Sequence, residues 1–187
     1  MRPDAMAVDW ALTAVFAALV LPCVLRLVRL DYVRLGHRVR HGDLAELLLV
    51  VAMVAMVSPV GGPIPAAGWQ AVLALTTGWF AVAWWRTRTC AHHALSAAAM
   101  LYMVTAMPHG GRDHGPWLTM SAMEARLALP LIAVVAAGYF VLDAAWSGVL
   151  VVRGSAAVRA DSGQASRAVC RTVMGAGMGY MLLASAL

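Results

Sequence analysis

Long apolar runs separated by short polar stretches dominate this chain. Runs of about 20 residues recur, each long enough to cross a hydrocarbon layer of about 30 Å as a helix. The pattern predicts about six spans, over residues 10–28, 44–60, 67–85, 90–107, 124–152 and 168–187. The strict alternation of a membrane barrel strand is absent, and in lipid a helix satisfies its own backbone groups. The expected fold class is therefore all-α, a polytopic integral membrane helix bundle forming one domain over residues 1–187.

The polar punctuation adds detail. Asp43-Leu44-Ala45-Glu46 and Ser121-Ala122-Met123-Glu124 read as capping boxes opening the second and fifth spans. "SPVGGPIPAAG" reads as a turn. Pro130 is expected to kink the fifth span. The first run starts with Asp4 and Asp9 instead of basic residues, and no small-residue cleavage site follows, so it is read as a span and not a signal peptide.

Composition supports a chain immersed in lipid. Hydrophobic residues make up 62% and charged residues 12%, with mean hydropathy +0.76, which leaves too little polar surface for a water-soluble domain. The net charge of +5 is spread between the runs, so nucleic acid is excluded as a partner. All 14 basic residues are arginine, a bias typical of high-GC bacterial genomes. Arg26, Arg29, Arg34, Arg38 and Arg40 follow the first span, Arg86 and Arg88 the third, and Arg153, Arg159, Arg167 and Arg171 the fifth. With six spans these share one face, and the positive-inside rule puts both termini on the extracytoplasmic side of a bacterial plasma (inner) membrane. Trp10, Trp69 and Trp117 then mark the outer interface, and Trp84, Trp85 and Trp146 the inner one. The lipid bilayer is the first partner, and attraction to anionic headgroups accounts for the basic run from Arg26 to His41.

Catalytic signatures are missing: no Walker loop, HExxH, GxSxG or dinucleotide fingerprint occurs, so no enzyme is expected. Cys23, Cys90 and Cys170 lie far apart without a CxxC and read as small packing residues near the inner boundary. Methionine is the unusual feature, with twelve in 187 residues. Met53 and Met56, Met100 and Met103, Met120 and Met123, and Met178 and Met181 are i,i+3 pairs that share a helix face. Most of them, with Met107, fall in the outer halves of their spans, while Met174 falls in an inner half. Packing alone explains any one pair, because methionine fills irregular gaps. As a set, thioethers from several helices suit copper(I), a soft cation that neutral sulfur holds without burying charge. His109 and His114 on the glycine-rich loop after Met107 suit capture of copper from outside. The candidate metal ligands are therefore His93, Met100, Met103, Met107, His109, His114, Met53, Met56, Met178 and Met181.

Asp143, inside "GYFVLDAAWSGVLVV", is the intramembrane polar residue that most needs a partner. His93 and Arg171 are the candidates. Only the fourth span carries histidine, which argues against bis-histidine haem and leaves His–Met ligation as the route to a haem-binding redox protein. Small-residue stretches such as "GAGMG" (Gly175–Gly179) permit close helix contact, as in an accessory or scaffold subunit with a membrane-protein partner or a homo-oligomer.

The segment His93 to Met107, with His93, Met100 and Met103 in register, resembles a family of uncharacterised multi-pass membrane proteins from high-GC bacteria, described as a domain of unknown function. That resemblance implies a polytopic membrane protein and no particular activity. The copper expectation, whether capture, delivery or sensing, comes from the side chains.

Overall fold

The computed structural model describes residues 3–60, 64–87, 90–106, 129–154 and 163–186. Their regular elements are α-helices: α1 (Pro3–Arg29), α2 (Tyr32–Leu35), α3 (His37–Val57), α4 (Ala66–Thr87), α5 (Ala91–Ala106), α6 (Pro130–Gly154) and α7 (Gln164–Ala186). The expected all-α class holds, with no strand among the described residues.

The long helices associate in pairs: α1 packs on α3, α4 on α5 and α6 on α7. In each pair the first helix is long and apolar enough to cross a membrane: Ala7–Arg29, Ala66–Arg86 and Pro130–Val149. Only 22%, 22% and 28% of these stretches is buried, so they present most of their circumference outward. The second helix of each pair supplies much of the core, including Leu49 and Met53 from α3, Ala97 and Met100 from α5, and Met178 and Leu182 from α7. A helix facing hydrocarbon must be apolar all round. A helix shielded by its neighbours can carry polar groups where another helix answers them. Thus α3 holds Asp43 and Glu46, and α7 holds Arg167 and Arg171.

Several local expectations change. α3 begins at His37, ahead of Asp43, so Asp43 and Glu46 lie inside a helix and form no capping box at its start. Gly36, at φ 89°, separates α2 from α3, a conformation that glycine adopts without a Cβ penalty. Pro130 is the first residue of α6 and does not kink it. Its missing N–H is one that the first turn leaves unpaired anyway. Trp69 is buried in the core, away from the outer interface expected for it, while Trp10, Trp84, Trp85 and Trp146 are exposed. The proposed cap at Ser121–Glu124 and the belt residue Trp117 lie outside the described residues.

The glycine stripe of α7 is used within the chain. A Cβ on Gly177 would stand 2.2 Å from Phe16 Cζ, and one on Gly179 would stand 2.8 Å from Val141 Cγ2. One on Gly175 would stand 3.2 Å from the Phe140 carbonyl oxygen. These glycines let α7 approach α1 and α6. Gly177→Ala should therefore cost roughly 1–3 kcal/mol by overpacking. At Gly78 a Cβ meets nothing within 4 Å, so Gly78→Ala should be neutral or stabilise by up to about 1 kcal/mol through helix propensity. Thermal unfolding of the two variants in detergent, side by side, checks the contrast.

Candidate functional site

Charged groups gather at one end of the bundle. Arg26 closes the last turn of α1, Arg167 lies in the first turn of α7, and Asp43 and Glu46 share a face of α3 one turn apart. The Arg26 Nη2 group donates to Glu46 Oε2 and to Cys23 Sγ at 3.3 Å. Arg167 donates from Nε and Nη2 to the two Asp43 oxygens at 2.7 and 2.8 Å, and the Tyr32 hydroxyl donates to Asp43 at 2.8 Å. Arg26 Nη1 stands 3.9 Å from Asp43. Arg26 and Asp43 are 5% and 1% exposed, so each charge depends on the others for the solvation it has lost. Burial pushes the Asp43 carboxyl up, but the Arg167 and Tyr32 hydrogen bonds and the two arginine charges outweigh it and hold it below the usual carboxylate range. Burial and the Asp43 carboxylate beside it push the Tyr32 hydroxyl up to about 12.

A second polar group lies on the neighbouring helices. Arg171 grips both Asp143 oxygens through Nε and Nη2, and His92 Nδ1 stands 3.4 Å from Asp143 Oδ2. Of the two expected partners, Arg171 is therefore the one found, and His92 takes the place foreseen for His93. His93 instead stacks on Phe80, ring centroids 5.3 Å apart, and reaches the backbone at Gly42. Between the two groups lies a cavity of about 550 Å³, whose walls include Arg38, Glu46, Cys90, His92, His93 and Met174. His93 thus belongs to the polar cavity, about 10 Å along α5 from Met100.

The methionines lie deeper. Met53, Met56, Met100, Met103, Met174, Met178 and Met181 all belong to one buried cluster, drawn from α3, α5 and α7. The Asp43–Arg167 pair and the His93–Gly42 contact set these helices level with one another. At 1.5 Å per residue, Met100 and Met174 then lie at one depth, Met53, Met103 and Met178 about 5 Å further along, and Met56 and Met181 beyond them. Met53 confirms the register: its Cε lies 3.2 Å from where a Cβ on Gly177 would be. Met107, His109 and His114 lie outside the described residues. Among the described residues no three His, Cys, Asp or Glu side chains come together as a metal site.

Sequence reading passed over two pairings. Cys23 and Cys170, 147 residues apart, place their sulfurs 3.8 Å from each other in the core. Arg26 and Glu46, assigned to a lipid-facing loop and a helix cap, are a buried ion pair. One signal was available: each of these residues lies within about a turn of a predicted span boundary on the same side of the membrane.

A model of one family, described as a domain of unknown function (DUF5134), matches residues 38–185. The chain belongs to that family. No curated protein and no solved structure matches it. The DUF5134 match starts at Arg38, so it includes Asp43, Glu46, every methionine of the buried cluster and Cys170, and leaves Cys23 and Arg26 before its start.

Linkage gives the polar end a distinct pH signature. The folded-state pKa of Asp43 is depressed, so its contribution is complete above the unfolded value, near pH 4, and is lost as pH falls through the lower folded value. Asp43→Asn should cost roughly 3–5 kcal/mol at neutral pH, with the difference from wild type shrinking only under acid. The folded pKa of Tyr32 is raised, so its contribution persists to about pH 10 and fades as pH approaches about 12. Denaturant unfolding of the wild type, Asp43→Asn and Tyr32→Phe between pH 3 and pH 11 checks both signs.

Proposed function

We propose that this DUF5134 protein is an integral membrane protein that binds copper(I) on thioether sulfurs in the centre of its bundle. The burial of seven methionines from three helices in one cluster carries the reading. Thioethers are neutral, so they can lie deep in an apolar core without the penalty a carboxylate incurs, and they prefer soft monovalent copper. The middle layer of Met53, Met103 and Met178 supplies one sulfur from each inner helix, which suits the low coordination numbers of copper(I). Capture through His109 and His114, followed by delivery or sensing, is the role these ligands fit.

The same reading has α1, α3, α4, α5, α6 and α7 crossing a bacterial plasma membrane, with both termini outside. Three of these helices have the length and hydropathy of spans. Each of the other three is packed against one of them. Arg26, Arg167 and Arg171 gather at one end, the arrangement expected of a cytoplasmic face. Reporter fusions at either terminus that give cytoplasmic signals would contradict this orientation.

Anaerobic copper(I) titration of detergent-purified protein against a chromogenic chelator tests the metal reading. Met53→Leu/Met103→Leu/Met178→Leu keeps the volume and apolar character of the core while removing the sulfurs. The expected result is at least a tenfold loss of affinity with folding retained. Wild-type protein that binds no copper, or a copper stoichiometry and affinity at the methionine equivalent that the triple variant leaves unchanged, overturns it.

A further inference from the structure

We infer that Cys23 and Cys170 form a second, dithiol site for a soft monovalent metal at the charged end of the methionine column. This inference shares the choice of copper(I) with the reading above, and the test below separates the two.

The two thiols come from the last turns of α1 and the first turns of α7. Both are fully buried and neither is in a disulfide. Their sulfurs are 3.8 Å apart. Two thiolates bound to one metal at about 2.3 Å, meeting at a tetrahedral angle, are separated by that same distance. Only a small opening makes the arrangement linear, so the pair accepts a metal with little movement of the helices. Among the described residues no third His, Cys, Asp or Glu ligand is grouped with them. Copper(I) accepts two sulfurs, whereas zinc wants four ligands.

Arg26 is the independent observation that points to a ligand. It is 5% exposed, and its Nη2 group already donates to Cys23 Sγ. Its Nε and Nη1 groups, also buried, make no hydrogen bond among the described residues. Buried guanidinium donors are costly to leave unused. Binding exchanges protons for metal: Cu⁺ + 2 RSH → [Cu(SR)₂]⁻ + 2 H⁺. The product is an anion in an apolar setting, and the Arg26 guanidinium, which it would share with Glu46, is the cation in contact with it.

The surroundings continue the chemistry. Cys170, Met174, Met178 and Met181 follow one another at i, i+4, i+8 and i+11 along the buried face of α7. Met174 also borders the 550 Å³ cavity, together with Cys90, His92 and His93. The dithiol therefore stands where the sulfur column meets the polar end, and a metal leaving it passes to thioethers above or to the cavity beside it.

Proton release separates dithiol from thioether binding, because thioethers carry no proton to lose. Copper(I) is titrated anaerobically into weakly buffered full-length protein, with protons and the thiolate-to-metal ultraviolet band recorded together. Wild type should release two protons for one equivalent of copper and show the band. Cys23→Ser/Cys170→Ser should lose both, while the triple methionine variant retains both. If that cysteine variant fails to fold, the wild-type proton count decides. Copper bound with no proton release and no band overturns the dithiol site and leaves the methionine reading standing. A full dithiol signal that the triple methionine variant shares, with no second equivalent in either protein, sinks the methionine reading alone. A Cys23–Cys170 disulfide in freshly purified protein, found by non-reducing peptide mass analysis, also overturns the site.

Discussion

Charge that has been taken out of water must be answered by other charge, and this constraint organises the molecule. Arg26, Asp43, Glu46 and Arg167 come from three helices, and their charged contacts lie at one end of the bundle. No member of the set can be left alone without exposing an uncompensated buried charge. The pairing therefore fixes the depth of α1, α3 and α7 relative to one another. A slide of one turn would break every contact in the group. The register of the methionines above, and of Cys23 opposite Cys170, follows from that alignment.

A division of labour between outer and inner helices explains the uneven hydropathy. α1, α4 and α6 turn most of their surface outward and hold the most apolar stretches, while Arg26 of α1 and Asp143 of α6 pair with groups on the sheltered helices. α3, α5 and α7 are sheltered, and shelter permits arginine, aspartate, glutamate and histidine near one end. It also permits sulfur deeper in the core, and three glycines of α7 where neighbouring helices come within van der Waals contact. Methionine suits such an interior because it is flexible enough to fill irregular space and polarisable enough to bind a soft ion. The packing role and the proposed ligand role do not compete, because a buried thioether stripe performs the first and would serve the second.

Within the chemistry, the two ends of the sulfur column differ in kind. The upper part is neutral and would hold a cation without any change in protonation. The lower part contains ionisable thiols beside a buried guanidinium. A metal moving between them would exchange a site coupled to protons for one that is not. Arg26 stands at the end of the column where the thiols lie.

Periodicity and length alone determined that the chain is helical and that helices of membrane-crossing length are among its elements, because a run of about 20 apolar residues has few other ways to satisfy its backbone. The i,i+3 spacing likewise determined that Met53 with Met56, Met100 with Met103 and Met178 with Met181 share one face of their helices. Spacing within one helix carries no information about which faces meet. Tertiary structure alone decided that Asp43 answers Arg167 across 124 positions and that Cys23 meets Cys170 across 147. It also decided that Arg171 with His92, and not His93, attends Asp143. Local rules misread Asp43 and Glu46 as a cap because the capping box and a buried acidic pair have the same i,i+3 spacing. They differ only in whether an arginine arrives from another helix.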